Sequence, residues 1–163
     1  MTYRLTIAVD PGLTGAIALL ADGERVELID MPTRRVDGVH EVCAKTLADQ
    51  LRCARAAHVG AYVSAIIEKV NGRAGWGATQ GFRFGVGVGK VKAALETLGI
   101  PTREVQAPVW KRHYRLKGGD KDASRALAAA RFPAVADALA RKKDDGRAEA
   151  LLLALYHDST QAA

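Results

Sequence analysis

Three short apolar runs open the chain with too little sequence between them for anything but turns, and this spacing constrains the fold more than any other feature. Leu5, Ile7 and Val9 alternate with Thr6 and Ala8 and then meet Asp10-Pro11-Gly12. Gly15 to Leu20 follows, and Arg25 to Asp30 comes after only Ala21-Asp22-Gly23-Glu24. A parallel return would need a crossover of about a dozen residues or more, so these runs read as an antiparallel hairpin meander. The first strand then carries a carboxylate, Asp10, at its tip.

After the meander the period changes. Val39, Val42, Cys43, Leu47 and Leu51 recur at helical spacing, which predicts an amphipathic helix from Val39 to about Ala57. Ala61 to Val70 returns to β-branched and small apolar residues, a buried strand that ends with Glu68. Seven of the sixteen glycines fall between Gly72 and Gly89. That stretch reads as a loop that becomes helical around Val88, Val91, Leu95 and Leu98. Pro101 to Val105 reads as a short strand and Ala107 to Tyr114 as a short helix. Asp120 or Asp122 caps an alanine-rich helix ending at Phe132-Pro133, and a last helix runs from about Asp145 to His157. Strands first, then alternation with helices, describe an α/β fold with a mixed five-stranded sheet flanked by helices, in a single domain over residues 1–163.

Composition narrows the partners. The chain has 163 residues, 24 lysines and arginines against 18 aspartates and glutamates, a net charge of +6 and a pI near 9.5, which favours polyanions and nucleic acid first. No apolar stretch approaches the roughly 20 residues that cross a bilayer, so no membrane association and a cytoplasmic location are expected. Cys43 and Cys53 lie ten apart in one expected helix and are expected to be reduced core residues. His40, His58, His113 and His157 show no metal-ligand spacing; only His113 is placed to touch phosphate.

Acidic residues stand at three element ends: Asp10, Glu68, and the group Asp144, Asp145 and Glu149 entering the last helix. At about 100° per residue, Asp145 and Glu149 lie about 40° apart and serve one ligand, whereas Asp144 and Glu149 diverge by about 140°. Asp145 is therefore preferred, with Asp144 as the alternative. Carboxylates drawn from separate segments repel unless a cation joins them, which points to Mg²⁺, one or two ions, with substrate phosphate completing the shell. Two ions would activate water and stabilise the leaving 3′ oxygen of a phosphodiester. The segment Val109 to Lys121 carries Lys111, Arg112, Arg115, Lys117 and Lys121 against one acid, interleaved with Trp110, His113 and Tyr114, and reads as a phosphate-binding face. Trp76, in the loop after Glu68, is a candidate for stacking at an opened base step.

Ile7-Ala8-Val9-Asp10-Pro11-Gly12 with Gly15, then Ile66-Ile67-Glu68-Lys69-Val70, then Lys143-Asp144-Asp145-Gly146-Arg147-Ala148-Glu149-Ala150-Leu151 resemble the RuvC family of Holliday junction resolvases, most closely its short phage and prophage members. The resemblance implies a ribonuclease H-like fold, a homodimer, and Mg²⁺-dependent symmetric nicking of four-way DNA junctions in recombination and repair, with Mn²⁺ able to substitute. The compartment would be the bacterial cytoplasm, or the host's for a phage-encoded protein. It also implies that Asp10, Glu68, an acid near the start of the last helix and Glu149 are the catalytic, metal-binding carboxylates. The chain departs from the bacterial pattern in its last acid, a glutamate, and in Asn71, which stands where those members carry an aromatic. The helix from about Gly85 to Leu98, with Gly85, Gly89 and Ala93 every four positions and Val88, Val91 and Leu95 alongside, is the expected dimer surface. Alternatives are a ribonuclease H-like nuclease for other branched DNA or RNA–DNA hybrids, and a noncatalytic junction-binding protein. Asp-x-Gly followed by Thr14-Gly15 also resembles the first phosphate turn of sugar kinases, but the chain is too short for the two lobes that enclose ATP.

Overall fold

The computed structural model describes residues 3–72, 75–117 and 120–161. Part of the glycine-rich loop expected over Gly72 to Gly81, and both ends of the span 1–163, lie outside the described residues. The meander forms β1 (Arg4–Asp10), β2 (Ala16–Ala21) and β3 (Arg25–Asp30). The chain continues through β4 (Thr33–Val36), β5 (Val39–Val42), α1 (Ala44–Ala57), β6 (Tyr62–Lys69) and α2 (Ala78–Thr97). It closes with β7 (Thr102–Gln106), α3 (Ala107–His113), α4 (Lys121–Arg131), two 3₁₀ turns (Pro133–Leu139 and Lys142–Asp144) and α5 (Asp145–Gln161). The main sheet has five strands in the order β3-β2-β1-β6-β7, with β1 antiparallel to β2 and parallel to β6. The expected mixed five-stranded sheet is thus present.

Strand alternation divides the core into two layers. Leu5, Ile7, Val9, Ala65 and Ile67 face Leu47 and Leu51 of α1 and Val91 and Leu95 of α2. The opposite faces of β1 and β6 present Ala8 and Ile66 to Ala148, Leu151 and Leu152 of α5. Small residues on both sides, Ala8, Ala16 and Ala18 on the sheet and Ala148, Ala150 and Ala154 on the helix, let α5 lie close to the strands. On this second face His157, fully buried, shares a 3.1 Å hydrogen bond with Ser64, which ties the end of α5 to β6.

Three expectations change. Val39–Val42 is a strand rather than the first turn of a helix, paired with Thr33–Val36 around Asp37-Gly38. Both turn residues have positive φ, 48° and 79°, the geometry that an Asp-Gly hairpin turn supplies. Cys43 therefore precedes α1 and is buried, whereas Cys53 lies on α1 and is exposed, contrary to the expectation that both sit in the core. Finally, α2 is helical from Ala78, well before Gly85. Its Gly87 packs against Val42 of β5, where a Cβ would stand in ordinary contact, 3.4 Å from Cγ2.

Candidate active site

The parallel register that ends at Val9↔Ile67 brings the tips of β1 and β6 side by side, and alternation turns Asp10 and Glu68 to the α5 face. Strand β7 pairs Val105 with Glu68, so the helix that follows β7 immediately, α3, starts beside that carboxylate. The fourth side comes from α5, whose first turns carry Asp145 and Glu149. A cleft of about 1000 Å³ opens here, with Asp10, Glu68, Lys111, Arg112, Arg115, Lys121, Trp76 and Glu149 on its walls.

Close approach of α5 depends on Gly146. A Cβ at that position would lie 2.6 Å from the Thr14 carbonyl oxygen, 3.1 Å from Gly15 Cα and 3.3 Å from Asp10 Oδ2. Gly15 is equally constrained, since a Cβ there would collide with the Asp10 carbonyl. Beyond the contact, Arg147 donates to both carboxylate oxygens of Asp30, at 2.6 and 2.7 Å, and to the Ala138 carbonyl, anchoring the start of α5 to the end of β3.

Two acids that are neighbours in sequence part company in space. Asp144 is 3% exposed, and accepts hydrogen bonds from the Arg141 backbone N–H and from its guanidinium at 2.9, 3.1 and 2.9 Å; this pairing holds its carboxyl below the usual range. It is a clamp on the turn before α5. Asp145 is half-buried, is paired with Lys121, and is close enough to Asp10 to act on its protonation. Glu149, one turn on, accepts from Lys111 Nζ at 2.7 Å with both partners largely covered. Glu68 Oε2 accepts from Trp110 Nε1 at 3.0 Å, a bond that composition and spacing did not reveal. The remaining expected cations separate: Arg112 and Arg115 are exposed on the cleft wall, and Lys117 is exposed but outside it. Trp76 is half-buried at the lip, edge-on to Phe84 with centroids 4.9 Å apart.

Burial, and then the charges of Glu68, Glu149 and Asp145, push Asp10 up from an ordinary 3.8 to about 7, against an opposing pull from Lys111. Folding thus favours the protonated form. Its stabilising contribution is complete below the unfolded carboxyl's pKa of 3.8 and is lost as pH rises through about 7. In excess chelator, thermal melts from pH 4 to 8 should therefore show wild type losing stability relative to Asp10→Asn as pH rises. Added divalent cation should remove most of that difference at pH 8; equal pH slopes for the two proteins would show that Asp10 ionises without hindrance.

The donor set suits a hard divalent cation: four carboxylates, no thiolate or imidazole, and an electrostatic excess that raises one of them. As the side chains stand, no three ligand-type groups among the described residues come together tightly enough to hold an ion. Lysine ammonium groups pair with Asp145 and Glu149, and a cation held by these carboxylates would have to displace them.

The mixed five-stranded sheet with α5 laid across it, and the cleft of mixed charge at its paired strand tips, belong to an α/β fold of the RuvC type. The structure of Thermus thermophilus RuvC in complex with a Holliday junction substrate superposes with a TM-score of 0.62 at 14% identity, covering 98% of this chain and 96% of that one. A second Thermus thermophilus RuvC structure gives 0.58 at 16% identity over the same shares. No family model and no curated protein sequence matches the chain. No helix among the described residues is long and apolar enough to cross a membrane.

Proposed function

We propose that the protein is a divalent-metal-dependent, structure-selective endonuclease that resolves four-way DNA junctions by paired symmetric nicks, acting as a homodimer. The observation that carries this reading is the meeting of Asp10, Glu68, Asp145 and Glu149 from three separate elements beside a cationic wall, on a RuvC-like fold. Mg²⁺, replaceable by Mn²⁺ and most simply two ions, would supply an activated water and stabilise the leaving 3′ oxygen. The four carboxylates would hold the ions. Lys111 and Lys121, released from Glu149 and Asp145 in that exchange, would join Arg112, Arg115 and the more distant Lys117 in contacting phosphates, which sets affinity and salt dependence but not preference. Trp76 would supply preference by stacking on an unpaired base at the branch point.

A junction has approximate two-fold symmetry, so paired incisions are most simply made by two protomers related by a matching axis. On α2, Phe82 (74% exposed), Val86, Gly85, Gly89 and Ala93 form an outward stripe at helical spacing, and nothing lies within 4 Å of a Cβ built at Gly85 or Gly89. Val91 and Leu95, expected alongside, are buried in the core and unavailable to a partner. Gly89→Leu should shift sedimentation equilibrium at micromolar protein toward monomer and uncouple the two nicks. A folded, fully dimeric variant would move the interface elsewhere.

The decisive experiment compares a mobile four-way junction, a Y-fork, linear duplex and an RNA–DNA hybrid side by side in Mg²⁺. Paired ligatable nicks in the junction support the proposal. Preferential hybrid cleavage would make the protein a ribonuclease H-type enzyme, and junction binding without cleavage would make it a structural binder.

A further inference from the structure

We propose that Trp110 is a positioning residue for Glu68, and that its indole N–H sets the metal affinity of the cleft. The inference rests on the nuclease reading above and adds to it a residue outside the carboxylate set. Trp110 is 0% exposed and packed in the core layer that contains Ile66, Val105 and Leu151. An indole has one donor and no acceptor, so a ring immobilised in this way aims its N–H in one direction. The group it meets is Glu68 Oε2, at 3.0 Å, on a strand 42 residues away. The topology explains the meeting: β7 pairs with β6 through Val105↔Glu68, and α3 leaves β7 directly, delivering Trp110 to the flank of that carboxylate.

The next residue shows by contrast what an indole contributes. Lys111 Nζ lies 5.1 Å from the Trp110 ring centroid and donates to Glu149. Consecutive residues of one short helix thus engage two of the four acids, with different chemistry. An ammonium neutralises its carboxylate and competes with any cation that needs it. The indole is neutral, so it adds no charge that would compete with a cation, and it fixes the orientation in which the Glu68 carboxylate is presented. Partners that orient a metal ligand in this manner typically change metal affinity about 10- to 100-fold when removed.

A purely structural role, in which Glu68 merely satisfies a buried N–H, predicts something else: Trp110→Phe would lower the melting temperature and leave ion binding alone. The test is calorimetric titration of the full chain with Mn²⁺ in wild type, Trp110→Phe, Glu68→Gln and the double variant. Positioning predicts at least about a 10-fold weaker Mn²⁺ affinity in Trp110→Phe, and no further loss when the same change is made in Glu68→Gln. Affinity within twofold of wild type, whatever the melting temperature, overturns it. Wild type that binds no Mn²⁺ at all would sink the nuclease reading and this inference with it, whereas equal binding by wild type and Trp110→Phe sinks the inference alone. Should Trp110→Phe fail to fold, the indole proton resonance of Trp110, assigned by comparison with Trp76→Phe, should move on saturation with Mg²⁺ in wild type and stay still in Glu68→Gln. An unmoved resonance in metal-saturated wild type overturns the proposal.

Discussion

Asp10→Asn and Glu68→Gln should each lower the rate of junction cleavage by about 1,000-fold or more, equivalent to about 4 kcal/mol of transition-state stabilisation, while junction binding is retained or tightened. The two effects separate because each carboxylate has two electrostatic roles. On the proposed mechanism it would attract the cation that the chemistry needs, and it would repel the phosphate that must come within reach of that cation. An amide loses both properties while keeping the volume, so the cleft becomes a better polyanion site and a poorer metal site. Single-turnover cleavage and filter binding on the same preparations measure both; a purified variant of either kind that cuts at near wild-type rate would remove these residues from the site.

The second large effect concerns a residue with no side chain. Gly146→Ala should destabilise the protein by about 1–3 kcal/mol and reduce cleavage by about 100-fold, even though alanine is the better helix former. The added methyl would meet the Thr14 carbonyl and Gly15 Cα, both backbone, so no rotamer change relieves the contact and α5 must withdraw from the β1–β2 turn. Asp145 and Glu149 withdraw with it. Gly81→Ala is the control, because nothing lies within 4 Å of a Cβ there and the helix should gain up to about 1 kcal/mol. Thermal melts of both variants beside their cleavage rates decide the matter; a Gly146→Ala protein as stable and active as wild type would show that the turn yields freely.

The meander, the two carboxylate-tipped strands and the closing helix were legible in the sequence because each rests on local periodicity bounded by turn residues. The β4–β5 hairpin was not, although Asp37-Gly38 repeats the signal that Asp22-Gly23 gives one hairpin earlier. Val39 and Val42 fit a helical face as well as a strand, and the helix that does follow absorbed them into its pattern. The early start of α2 was hidden for a different reason: glycines lower helix propensity locally, and the packing that compensates, against β5, is not local. Helical geometry separated Asp145 from Asp144, but the burial of Asp144 against Arg141 depends on a 3₁₀ turn that periodicity does not register. The bond from Trp110 to Glu68 was out of reach altogether, since it arises from the register between two strands far apart in the chain.

That long-range register has a consequence for how the protein is made and lost. Asp10 and Glu68 become neighbours only when β1 pairs with β6, the central pairing of the sheet and one that cannot form until the intervening hairpins and α1 have been looped out. Closure of so long a loop is a late, slow event compared with formation of the meander or of α5. A nascent or partly unfolded chain can therefore hold helices and hairpins without holding two adjacent carboxylates. On the proposed function, competence for hydrolysis would arrive only with this pairing of the sheet, and a half-folded molecule held on DNA would lack the adjacent carboxylates needed to cut it.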